Sequence, residues 1–157
     1  MSRVVAWGQE LAEVHRRLRD ALALTRSAVE SGSSGPSAAR DLQLYCVGFC
    51  AALTGHHRSE DATLFDVVLA AEPGLAPVVA DLKQDHSMLD HLLGELEHAA
   101  RSGADRDELL RHLDGIEAVM ETHFRYEEKK LVAVLDDVEP PADGKEADKQ
   151  KMLGPLA

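Results

Sequence analysis

Apolar residues return along this chain at alternating intervals of three and four, and polar breakers cut the pattern into four stretches. The first, about residues 3–30, carries Val4, Trp7, Leu11, Leu18 and Leu22. The second, about 37–71, carries Leu42, Phe49, Leu53 and Leu64; the third, about 75–101, carries Leu75, Val79, Leu82, Leu89, Leu93 and Leu96. The fourth, about 105–138, carries Leu109, Leu113, Ile116, Met120, Leu131 and Leu135. Such spacing puts one apolar stripe on each helix. The breakers are the Ser- and Gly-rich run Ser31–Ser37, with Pro36 suited to a helix first turn, then Glu72-Pro73-Gly74, then Ser102–Asp105, with Asp105 as N-cap. Short connections make successive helices antiparallel, so the pattern predicts an all-α, up-down-up-down four-helix bundle over residues 1–138. Beyond Glu139-Pro140-Pro141 the chain turns polar and mixed in charge, which predicts a flexible tail over 139–157.

Composition narrows the function. A chain of 157 residues is long enough for one domain with a proper core. A net charge of −11 without a basic stripe argues against nucleic acid. No apolar run reaches bilayer length, and the start of the chain lacks a secretory pattern, so no membrane partner and a cytoplasmic location are expected. Cys46 and Cys50, at i and i+4, are poorly spaced for a disulfide and read as reduced core residues.

Polar residues interrupt the stripes at core positions. Residues 56–64 and 123–131 match in register: His56 meets His123, Arg58 meets Arg125, Glu60 meets Glu127, Asp61 meets Glu128 and Leu64 meets Leu131. Each segment holds a His-x-x-x-Glu pair, whose members share a helix face one turn apart. His15 lies in the stripe Leu11–Leu18–Leu22, and His86 in the stripe Leu82–Leu89–Leu93. In an up-down bundle these six residues lie about 11–15 residues from the same end, roughly 16–23 Å at 1.5 Å per residue. Four helices thus deliver His, His+Glu, His and His+Glu to one layer. Buried imidazoles and carboxylates are costly unless paired or ligating, so a metal site is the economical reading. Imidazole and carboxylate donors without thiolate suit iron, manganese or zinc. Two carboxylates can bridge two ions while four imidazoles cap them, which favours a dinuclear iron site.

The pattern of His15, His56-x-x-x-Glu60, His86 and His123-x-x-x-Glu127 resembles the hemerythrin family in its HHE cation-binding branch. The resemblance runs from about residue 10 to 136 and rests on HHRSEDATLF and HFRYEEKKL. It implies a four-helix bundle with an oxo- or hydroxo-bridged non-haem di-iron centre. Glu60 and Glu127 would match its bridging carboxylates, and His15, His56, His86 and His123 its terminal imidazoles.

The chain departs from that pattern on the third helix. Oxygen-carrying hemerythrins place a second His four residues after the first, whereas here position 90 is Asp, and His91 lies about 140° round the helix from His86. Asp90 is expected on the site face, as a seventh donor or as an acceptor for an imidazole N–H. His57 and Asp61 form the same pair one residue over, about 100° round. They are expected as a surface pair or as partners behind the ligands, with an alternate register in which they enter the site; Glu128 is similar. Tyr45 and His112 lie too far along the axis to ligate, and His91 and His98 are expected in solvent. Six donors leave open positions on the metal, which favours an oxidoreductase or catalase-like protein acting on O2 or peroxide. Reversible binding of O2 or NO, and iron or redox sensing, are the alternatives.

Overall fold

The computed structural model describes residues 6–31, 36–138 and 146–157, with side chains defined outside 36–43 and 146–147. Its elements are α1 (Trp7–Glu30), α2 (Pro36–Ser59), a π-helical turn (Glu60–Leu64), α3 (Phe65–Ala71), a 3-10 turn (Pro73–Leu75), α4 (Ala76–Arg101), α5 (Arg106–Asp136) and α6 (Glu146–Leu153). α2, the π turn and α3 follow one another without a break and supply the second rod of the bundle. α1 packs on α2 and α5, and α4 packs on the same two helices, closing a four-membered ring. This is the up-down-up-down bundle that the periodicity predicts. Val4 and the side chain of Leu42 lie outside the described residues. The other stripe residues are buried, apart from the half-buried Leu75. Cys46 and Cys50 are buried and form no disulfide, and burial pushes the Cys50 thiol up to about 12. No described helix is long and apolar enough to cross a membrane.

Local contacts fix the helix ends that set the depth of the polar layer. Asp105 caps α5 by accepting a bond from the Glu108 N–H at 2.9 Å. α4 ends where Gly103 turns left-handed at φ +73° and the Ala104 N–H reaches back to the Ala99 carbonyl at 3.0 Å. The Gly8 N–H at the start of α1 donates to Asp136 Oδ1 at 3.0 Å, tying α1 to the end of α5. A Cβ at position 8 would stand 2.5 Å from the Val132 carbonyl oxygen, so only glycine permits this approach.

Two features depart from expectation. The first is the π turn, in which the Phe65 N–H bonds to the Glu60 carbonyl, five residues back. In an unbroken α-helix Phe65 would sit about 120° from the stripe through Leu53. One extra residue in the turn returns it to the core, where Leu64, Phe65 and Val68 are all buried. The second is the tail. Residues 139–145 lie outside the described residues, but 146–157 are not the flexible extension that their polar composition predicts. They form α6 and a terminal turn packed on α1, α2 and the π turn. Met152 and Leu153, which follow the polar run Asp148–Lys151, anchor the segment with 3 % and 0 % exposure.

Candidate metal centre

The layer is built from all four rods. α1 supplies His15, α2 supplies His56 and His57, the π turn supplies Glu60, α4 supplies His86, and α5 supplies His123 and Glu127. All seven residues are at most 2 % exposed. They fall into two groups, each with donor atoms within 4.8 Å of one another: His15, His56, Glu60 and Glu127, and His57, Glu60, His86 and His123. Glu60 belongs to both. Its Oε1 lies 3.1 Å from His56 Nε2 and 3.4 Å from His86 Nε2, one imidazole of each group. Glu127 spans them too, with Oε1 3.1 Å from His15 Nε2 and Oε2 3.5 Å from His123 Nε2. His86 Nε2 and His123 Nε2 face each other at 3.2 Å.

The outer nitrogens are held from behind. His86 Nδ1 donates to Asp61 Oδ1 at 2.8 Å, and His123 Nδ1 donates to Asp85 Oδ2 at 3.1 Å. His56 Nδ1 donates to the Leu153 carbonyl at 2.7 Å, and His15 Nδ1 lies 3.4 Å from Glu128 Oε1. A proton held on Nδ1 leaves the Nε2 lone pair pointing into the layer, as metal ligation requires. Phe124 stacks flat on His15 with ring centres 3.8 Å apart and fixes its plane. His57 stacks on His86 at 3.9 Å.

The protein alone leaves this layer unsatisfied. Nε2 of His15 and His56, both ring nitrogens of His57 and all four oxygens of Glu60 and Glu127 are buried without a well-aligned hydrogen bond. Burial, and then the charge of His15, push the His56 imidazole down to about 3; burial and His123 do the same to His86. Burial also holds His57 well below the usual imidazole range. Burial, with the Glu127 charge beside it, pushes Glu60 well up. Burial opposes ionisation of Glu127, but His15 and the adjacent Glu60 carboxyl outweigh it and hold Glu127 well down. The neutral imidazoles of His56, His57 and His86, set with His15 and His123 around two carboxylates, form a donor set that fits cations and has few other uses in a core.

The structure therefore brings together the six residues His15, His56, Glu60, His86, His123 and Glu127 that the sequence singles out. It does not bring in Asp90, which is exposed on α4. The buried face of α4 is centred on Leu89 and Leu93, to one side of His86, and Asp90 falls on the other side. Asp90 is thus neither in the donor groups nor an acceptor for a site imidazole; Asp61, Asp85, Glu128 and the Leu153 carbonyl stand behind the imidazoles instead. His57 joins the site as well, in the alternate register rather than at the surface or behind the ligands. Measured from Leu53, His57 sits about 40° to one side of the stripe and His56 about 60° to the other, so both fall within its width. That phase is the signal that points to it. Asp61 and Glu128 take the outer positions expected of them, while His91 and His98 are exposed.

The sequence model of the hemerythrin HHE cation binding domain matches residues 9–135. No curated protein matches the chain, and no solved structure does.

Proposed function

The chain belongs to the hemerythrin HHE cation-binding family, and from that premise we propose that its buried layer holds two iron ions and reacts with O2 or peroxide. Glu60 and Glu127 would bridge the ions. His57, His86 and His123 would complete one, and His15 and His56 the other. Bound iron would supply reversible one-electron chemistry and Lewis acidity toward a small oxygen ligand. The chain's own residues orient the site. Asp61, Asp85 and the Leu153 carbonyl hold three imidazoles in the Nδ1–H form. Phe65 and Phe124 pack against the rings and keep bulk water from the donors.

The observation that carries this reading is the uneven division of donors. Each group holds four protein donors with Glu60 in both, and Glu127, grouped with His15 and His56, also reaches His123 with its Oε2 at 3.5 Å, so a Glu127 shared as Glu60 is would give the His57 group five and leave the other four. Iron prefers about six, so the His15/His56 position keeps room for an outside ligand. That room favours oxidoreductase or catalase-like turnover. A second reading, reversible binding of O2 or NO, is favoured by His57 itself. It raises the donors to seven, and three imidazoles on one ion leave less room for reaction there.

Anaerobic loading with ferrous iron, followed by exposure to O2 and separately to hydrogen peroxide, distinguishes the two. Sustained peroxide consumption, lost in Glu127→Ala, supports turnover. An O2-dependent optical change that argon reverses supports the carrier reading. No optical response to either reagent overturns both.

A further inference from the structure

We propose that residues 146–157 form an intramolecular cover that fixes the His56 imidazole and closes the His15/His56 side of the layer. The proposal rests on the reading of that layer as a metal site, and it assigns the segment control over access to it.

The segment meets His56 through its backbone. The Leu153 carbonyl takes the His56 Nδ1 proton at 2.7 Å in a fully buried contact across 97 residues of sequence. The side chains behind His86, His123 and His15 are all carboxylates on the bundle helices, namely Asp61, Asp85 and Glu128. His56 depends on a partner from outside the four rods. With that partner in place, its Nε2 faces Glu60 at 3.1 Å.

Glycines make the approach close enough. Gly154 adopts φ +94°, and a Cβ there would stand 2.7 Å from His56 Cα and 2.8 Å from its backbone nitrogen. Across the contact, a Cβ on Gly55 would meet Pro155 Cδ at 2.9 Å. Any side chain at 154 meets both obstacles, left-handed backbone and lack of space.

The cover is held by few contacts. Met152 and Leu153 are its buried apolar anchors. Lys149 Nζ pairs with Glu10 at 3.2 Å, and Arg17 donates to the Leu156 carbonyl at 2.5 Å. An eight-residue helix is too short to persist in water without such docking. It is therefore the element that can open while the four rods stay closed. It also stands on the group with fewer protein donors, where an outside ligand would bind.

The test uses the full chain carrying Gly154→Val, and reads undocking separately from access. Trypsin cleavage at Lys149 and Lys151 reports release of the segment. Carbethoxylation of His56 in metal-free protein, mapped by mass spectrometry, reports exposure of the ligand. Loss of iron to EDTA from loaded protein reports the site. With far-UV circular dichroism retained, all three rates are expected to rise about ten-fold or more, as for a locally opened segment. Lys149→Glu, with cleavage followed at Lys151 alone, should raise them less, and adding Glu10→Lys should restore them, which keeps the test valid if Gly154→Val fails to fold. Faster cleavage with wild-type His56 modification would overturn the proposal. So would a wild-type segment cleaved and modified as fast as the variant. If the wild-type chain binds no iron, the metal reading fails, and His56 modification still decides the cover.

Discussion

Acidifying the metal-free protein from pH 6.5 to 4.5 is expected to destabilise the bundle by an amount comparable to its whole stability. His56, His57 and His86 stay neutral in the fold, because burial depresses all three, His56 and His86 to about 3. In the unfolded chain each takes a proton as pH falls through roughly 6.5. Glu60 works the other way: burial keeps its proton in the fold, and the unfolded chain releases it above about 4.5. His15, raised by Glu127 and Glu128 against the pull of burial, is protonated in both states below roughly 6.5 and drops out. Between those limits the unfolded state binds a net excess of about two protons, so stability rises with pH. At about 1.4 kcal/mol per proton and pH unit, the window is worth roughly 5 kcal/mol, against a typical total of about 5–15 kcal/mol. Above roughly pH 6.5 the sign reverses, because His15 and Glu60 then hold protons that the unfolded chain loses, and stability should peak near that pH. Urea unfolding of EDTA-treated protein, followed by circular dichroism at high salt to screen the surface charge, measures this directly. An unfolding midpoint at pH 4.5 equal to or above that at pH 6.5 would mean that these imidazoles take up their protons in the fold as readily as in the unfolded chain.

Other substitutions separate the packing from the site. Gly8→Ala should cost about 2–3 kcal/mol in urea unfolding, since its Cβ would strike the Val132 carbonyl and displace Asp136 from the start of α1. Asp105→Ala should cost about 1 kcal/mol by removing the bond to the Glu108 N–H, with iron content unchanged. Asp90→Ala should leave iron content and optical spectrum as in wild type, because the residue is exposed and outside both donor groups; a shifted spectrum would return it to the site.

The bundle was legible because each rod keeps a stripe three or four residues apart, and because Asp105 and the Pro73-Gly74 break mark ends that the structure keeps. Six of the seven donors stood out as polar residues inside apolar stripes. His57 did not, because pairing His56 with Glu60 at i and i+4 appeared to use up the inward face, whereas Leu53 puts the middle of that face between His56 and His57. Asp90 misled for the opposite reason: sharing a face with His86 does not place a residue in the core when the core lies towards Leu89. The π turn is decided by tertiary packing of Phe65, which local spacing does not carry. The tail was obscured because its anchors, Met152 and Leu153, come directly after the polar run Asp148–Lys151 and form no three-and-four stripe.

In the proposed centre Glu60 and Glu127 would join two ions, with His57 completing one of them. Metal analysis of iron-loaded wild-type, His57→Ala, Glu60→Ala and Glu127→Ala chains tests it most directly. About two iron ions per wild-type chain are expected, with a weakened second ion in His57→Ala and loss of both from the two carboxylate variants, as for a bridged pair. A wild-type chain that takes up one ion at most, or carboxylate variants that keep the full complement, would contradict it.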